Sequence, residues 1–149
     1  MEKFILEALK EARKAFDKNE VPVGAVIVKD EKIIARAHNM RHNKKSPIAH
    51  AEVLAIQKAC KKVGDWRLDD CILYVTLEPC AMCTGAIINS RIPKVVYGAS
   101  EPSGFMGSMY DVSGKIINNH TVSVVGGVMA EECANLLKDF FRSKRCIKK

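Results

Sequence analysis

No stretch of this 149-residue chain approaches the roughly 20 consecutive apolar residues that a bilayer-spanning helix needs. The opening segment "MEKFILEALKEARKAF" carries charges throughout its apolar pattern, which argues against a signal or transit peptide. Internal repeats, low-complexity tracts and linker-like runs are also lacking. These absences point to a cytoplasmic protein. In that reducing compartment disulfides are disfavoured, so six cysteines gain weight as metal or catalytic groups. What is present is ordinary for a globular chain: 48% hydrophobic and 28% charged residues. One domain over residues 1–149 is expected, long enough to bury roughly two thirds of its unfolded surface.

Negative charge is the scarcer sign. Lysine and arginine number 24 against 17 acids, a formal net charge of +7, and a surplus of this kind favours anionic partners, nucleic acid first. The excess is uneven: "FFRSKRCIKK" holds five basic residues and no acid, and "RHNKK" (Arg41 to Lys45) is a second cluster. On charge alone, a solvated tail and a solvated loop explain them equally well.

Apolar residues at Ile5, Leu9, Ala12 and Phe16 form a helical stripe. "VPVGAVIVKDEKIIARA" reads as a hairpin turning at Asp30-Glu31. A polar loop closed by Pro47 precedes a helix over "IAHAEVLAIQKACKKVG", capped by Gly64. "CILYVTL" is a buried strand by its β-branched and aromatic content. "EPCAMCTGAIINSRI" reads as a helix whose opening turn holds Pro79 and two cysteines, followed by the strand "KVVYGA". "SEPSGFMGSMYDVSGKIINNH" is loop-like, "TVSVV" a last strand and "MAEECANLLKDFFRSKR" a last helix. The order α-β-β-α-β-α-β-β-α implies a mixed sheet with helices on both faces.

Two short motifs sit at predicted helix starts: "HAE" (His50 to Glu52) and "PCAMC" (Pro79 to Cys83). Cys80 and Cys83, at i and i+3, share a helix face, and a helix N-terminus favours thiolate. The strand between the two helices can bring His50 beside them. One imidazole and two thiolates are donors zinc prefers, and three protein ligands leave a position for water, whose pKa zinc lowers to about 7. Three alternatives stand beside this reading: a thioredoxin-like redox pair, a zinc site closed by Cys60, Cys71 or another histidine, and buried inert thiols. Glu52 lies about 200° around a helix from His50, so it is not an expected co-ligand. From a first turn it can still reach the open position, accept a proton from the water and return it to a substrate nitrogen.

The H-x-E…P-C-x-x-C pattern resembles the zinc-dependent nucleobase deaminases. The likeness extends almost end to end to the bacterial tRNA adenosine deaminase family, through "EVPVGAVIV", "AHNMR", "PIAHAEVLAI", "WRLDDCILYVTLEPCAMCTGAI", "SRIPKVVYGA" and "ECANLLKDFFRSKR". That resemblance implies a cytidine-deaminase-like α/β/α sandwich with a five-stranded mixed sheet, one zinc ion per chain and a homodimer. It implies hydrolytic conversion of wobble adenosine to inosine by zinc-activated hydroxide attack on C6. It makes His50, Cys80 and Cys83 the zinc ligands and Glu52 the proton shuttle. It makes Asn39 a contact to the nucleoside, and places Glu101 where the family has an acid near the RNA. Phe141, Arg142 and Arg145 correspond to the terminal helix that helps hold the tRNA anticodon loop, with one of Phe140 and Phe141 expected in the core.

The chain departs from the family pattern at Ser46-Pro47-Ile48, in "SEPSGFMGS", where Ser103 stands in place of a lysine, and at Asn119-His120-Thr121. Each departure touches a loop and none the zinc box. Two rival readings follow: a deaminase of free guanine, cytosine or a nucleoside, and a zinc-stabilised RNA-binding module without catalysis. A basic terminal helix argues against the first, and a non-ligand Glu52 beside the metal against the second.

Overall fold

A computed structural model describes residues 1–147, with side chains through Lys144. The elements follow the expected order: α1 (Glu2–Asp17), β1 (Gly24–Lys29), β2 (Lys32–His38), α2 (Ala51–Val63), β3 (Cys71–Leu77), α3 (Ala81–Asn89), β4 (Lys94–Ala99), β5 (Ser123–Val125) and α4 (Ala130–Ile147). The five strands form one mixed sheet in the order β2-β1-β3-β4-β5. β1 pairs antiparallel with both β2 and β3, whereas β3, β4 and β5 run parallel.

The β1–β2 turn has Asp30 and Glu31 both at positive φ, 52° and 64°, the conformation a two-residue hairpin needs to match strand twist. Successive residues of a strand point to opposite faces, so β1 divides its side chains between two cores. Ala25 and Ile27 pack with Ala55, Ile56, Ile87 and Ile88 from α2 and α3. Val26 and Val28 face Phe4, Ile5, Leu9 and Cys133 from α1 and α4. The result is the three-layer α/β/α sandwich. Gly24 lets the sheet approach α1 closely, since a Cβ there would lie 2.0 Å from the Ala8 carbonyl oxygen. This glycine, inside "EVPVGA", is fixed by packing.

Several boundaries differ from the sequence reading. The second helix begins at Ala51, not at Ile48, because His50 is extended (φ −77°, ψ 152°) and serves as its N-cap. Asn39 Oδ1 accepts the Ala51 N–H at 2.8 Å, one of the donors a helix start leaves unpaired. The third helix excludes Pro79: Glu78 still donates its N–H to the Ala99 carbonyl at 2.8 Å beside β4, and Cys80 is an extended N-cap. Pro79 therefore stands before the helix, which runs only to Asn89. The last strand is Ser123–Val125, shorter than "TVSVV". Gly64 closes α2 in the left-handed conformation (φ 80°), as expected.

The segment between β4 and β5 has no regular element, yet it is not loose. Met106 bridges to Asp111 and Ile117 to His120, while Met106 and Val112 are buried in the α2–α3 core.

Candidate functional site

The parallel pairing of β3 with β4 and the cap conformations at His50 and Cys80 bring two helix starts together. His50 Nδ1 lies 3.9 Å from Cys80 Sγ and 3.5 Å from Cys83 Sγ. The ligand atoms of these three residues all lie within 4.8 Å of one another and form a group able to hold a metal ion. Neither Cys60 nor Cys71 belongs to it. The described cysteines are all free.

Electrostatics at the cradle reflects competition for protons. Hydrogen bonds from Cys83 and then His50 hold the Cys80 thiol down at about 3. Its thiolate, followed by burial, pushes the Cys83 thiol far above its ordinary range. His50 is raised, chiefly by its hydrogen bond to Cys80. The two thiols are pushed in opposite directions, so keeping both sulfurs anionic requires positive charge between them.

A pocket of about 280 Å³ opens over these groups, lined among others by Asn39, Arg41, His50, Glu52, Cys80 and Glu101. Glu52 is 4% exposed, and burial pushes its carboxyl up to about 7. Asn39 spends its carbonyl oxygen on the cap of α2. Glu101 stands at the mouth, its carboxylate accepting a hydrogen bond from the Ser103 hydroxyl at 3.3 Å.

The sequence reading gave no role to two buried carboxylates that hold the flanking loops. Glu20 accepts the N–H groups of His42 and Asn43 at 3.2 and 2.7 Å, and the Asn43 side-chain amide at 2.7 Å. It thereby shapes the basic loop that carries Arg41. Burial opposes its charge, but these bonds prevail and its pKa is lowered. Glu78 does the same for the loop on the other side. Both glutamates stand beside the quoted motifs, Glu20 at the head of "EVPVGA" and Glu78 between a buried strand and the "PCAMC" proline. A charge at the end of an apolar strand was the available signal.

Phe141 and Arg142 do not join this pocket. Phe140 is the core member of its pair, 5% exposed and edge-on to Phe16 at 5.5 Å. Phe141 is 46% exposed. Arg142 lies on the surface, 3.7 Å from Asp139. The Arg145 side chain lies outside the described residues.

The fold and this constellation can be set beside known proteins. A family described as MafB19-like deaminase matches residues 1–145. A tRNA-specific adenosine deaminase of Bacillus subtilis (strain 168) is 51% identical over 149 residues, covering 99% of this chain and 92% of that protein. The chain belongs to the tRNA-specific adenosine deaminase family. A solved structure from work on A-to-I editing by tRNA:A34 deaminases at the wobble position of transfer RNA shares 40% identity with this family member. It superposes with a TM-score of 0.85, over 90% of this chain and 98% of the other. The sandwich is thus the cytidine-deaminase-like fold of these deaminases. A guanine deaminase from Bacillus subtilis, 36% identical with a TM-score of 0.65, covers 97% of the deaminase described here and 92% of its own chain.

Proposed function

We propose that this chain, acting as a single cytoplasmic domain unit, deaminates adenosine to inosine at the wobble position of a tRNA anticodon, with zinc held by His50, Cys80 and Cys83. One observation carries the reading: a three-donor cradle at the floor of a pocket also lined by the buried Glu52, in a member of the tRNA deaminase family.

The donor set fits zinc. Zn–S distances of about 2.3 Å and Zn–N of about 2.0–2.1 Å at tetrahedral angles place donors roughly 3.5–3.8 Å apart; the imidazole lies 3.5 and 3.9 Å from the two sulfurs. Zinc held by His50, Cys80 and Cys83 would supply a water acidic enough to act as nucleophile at neutral pH.

The remaining work falls to the protein. A flipped-out adenosine enters the pocket, and Asn39 Nδ2 holds the nucleoside. Glu52 accepts the proton of the water that attacks C6 and delivers it to N1. It then takes the proton of the new C6 hydroxyl and passes it to the exocyclic amine, which leaves as ammonia as the C6 carbonyl forms. At the mouth, Glu101 meets the neighbouring nucleotides. The outward ring of Phe141 offers a stacking surface for a splayed base, and Arg142 and Arg145 meet phosphates.

The test is an anticodon stem-loop with adenosine at the wobble position, assayed across salt. Inosine should form, with kcat/KM falling steeply as salt rises, each phosphate contact adding about −0.7 to the logarithmic slope. Deamination of free guanine or cytosine with a flat salt response, and no inosine, would replace this reading with the free-base one. Tight RNA binding with no product would make the chain a binding module.

We also propose that the protein acts as a homodimer joined through α2 and α3. An apolar groove there is lined by Val53, Ile56, Ala86 and Trp66, and Trp66 is 56% exposed. A second copy would remove this surface from water. Light scattering should give twice the chain mass, and Trp66→Glu should halve it. A monomeric native protein would sink the proposal.

A further inference from the structure

Glu78 is the least exposed of the residues lining the pocket, 2% accessible, and among the described residues it has no cationic side chain as a partner. Its carboxylate is instead filled by one loop. Oε1 accepts the Glu101 N–H at 3.2 Å and the Ser108 hydroxyl, while Oε2 accepts the N–H groups of Met106 and Ser108, each at 3.0 Å. The loop presses so close that a Cβ on Gly104 would stand 2.2 Å from the Glu78 carboxyl carbon. A second tie runs to the next residue, where the Phe105 N–H donates to the Pro79 carbonyl at 2.9 Å. The same short stretch therefore carries the cradle cysteine Cys80 and the anchor of the loop bearing Glu101 and Ser103, both of which line the pocket mouth.

We infer that Glu78 is a positioning residue that fixes the 101–108 loop to the pocket rim and so sets the site's affinity for its RNA, while taking no part in the chemistry. The inference rests on the tRNA reading above. Four charge-assisted bonds to one carboxylate are geometrically demanding, and misplacing a substrate-contacting wall by about 1 Å can cost on the order of 10²-fold in efficiency. An amide at this position turns two acceptor sites into donors facing N–H groups, and the loop must shift. Of the reacting groups only Cys80 shares this stretch; His50 caps α2, Glu52 lies in it and Cys83 lies within α3, so loss of the anchor should weaken binding more than turnover.

The experiment compares wild type with Glu78→Gln on the anticodon stem-loop, measuring kcat, KM and zinc content. The expected result is a KM raised by at least about tenfold, kcat within about threefold of wild type, and zinc retained. Ser108→Ala, which deletes one hydroxyl and leaves the carboxylate intact, should raise KM by a few-fold in the same sense. It keeps the test open should Glu78→Gln fail to fold. An active wild type with KM unchanged in the variants overturns the inference alone, as does a variant that loses zinc and kcat together. No inosine from wild type overturns the tRNA reading and this inference with it.

Discussion

Replacing Glu52 with alanine is expected to abolish measurable deamination while zinc stays near one per chain. The residue is not in the three-donor group, so the cradle should keep its metal. It lines the same pocket and is buried there, so the proton carrier is lost with the side chain. A positioned proton carrier typically contributes about 10²–10⁴ in rate, and here one group serves both the attacking water and the leaving amine. Alanine also leaves a small void under the pocket floor, so Glu52→Gln is the cleaner companion: it keeps the volume and cannot carry the proton. Both variants should fall by at least two orders of magnitude in kcat. Zinc measured alongside decides the role, because metal lost from Glu52→Gln would make the carboxylate part of the metal site's support.

Cys83→Ala should fail for the opposite reason: activity and zinc disappear together. Cys83 is fully buried and stands 3.5 Å from the His50 imidazole. Its removal leaves one thiolate and one imidazole, and the drop in zinc affinity should exceed the roughly 10–100-fold that accompanies loss of a ligand's outer partner. The helix itself should survive, since the lost side chain is small and alanine is a strong helix former. Circular dichroism should therefore stay near native while metal content falls toward zero. Chelation of the native protein should reproduce the loss, and added zinc should restore activity to it and not to the variant. Full zinc occupancy with normal turnover in Cys83→Ala would remove this cysteine from the site.

The two experiments separate groups that lie within a few residues of each other in the chain. Glu52 follows His50 by two positions and Cys83 follows Cys80 by three, yet their expected signatures differ in whether metal departs with activity. That difference follows from which atoms converge on the cradle and which face the pocket above it.

Much of this was legible in the sequence. Alternating apolar residues fix strand faces, as in β1, where Ala25 and Ile27 serve one core and Val26 and Val28 the other. Asp30-Glu31 and Gly64 mark a turn and a helix end because local backbone chemistry decides them without help from distant residues. The element order was readable for the same reason. So were the donor types in the "HAE" and "PCAMC" motifs, since zinc chemistry names imidazole and thiolate wherever they meet.

Helix starts were read less well. The sequence extends α2 back to Ile48, but Asn39, twelve residues before Ala51, supplies the cap that begins it. A partner that distant leaves no periodic trace. The role of "SEPSGFMGS" was likewise beyond local reading: its composition says loop, and the long-range bonds to Glu78 make it a fixed wall. The chemistry was thus set by short motifs whose side chains carry it. The shape of the pocket was set by buried carboxylates that satisfy backbone N–H groups 22 to 30 positions away, contacts that exist only once the chain has folded.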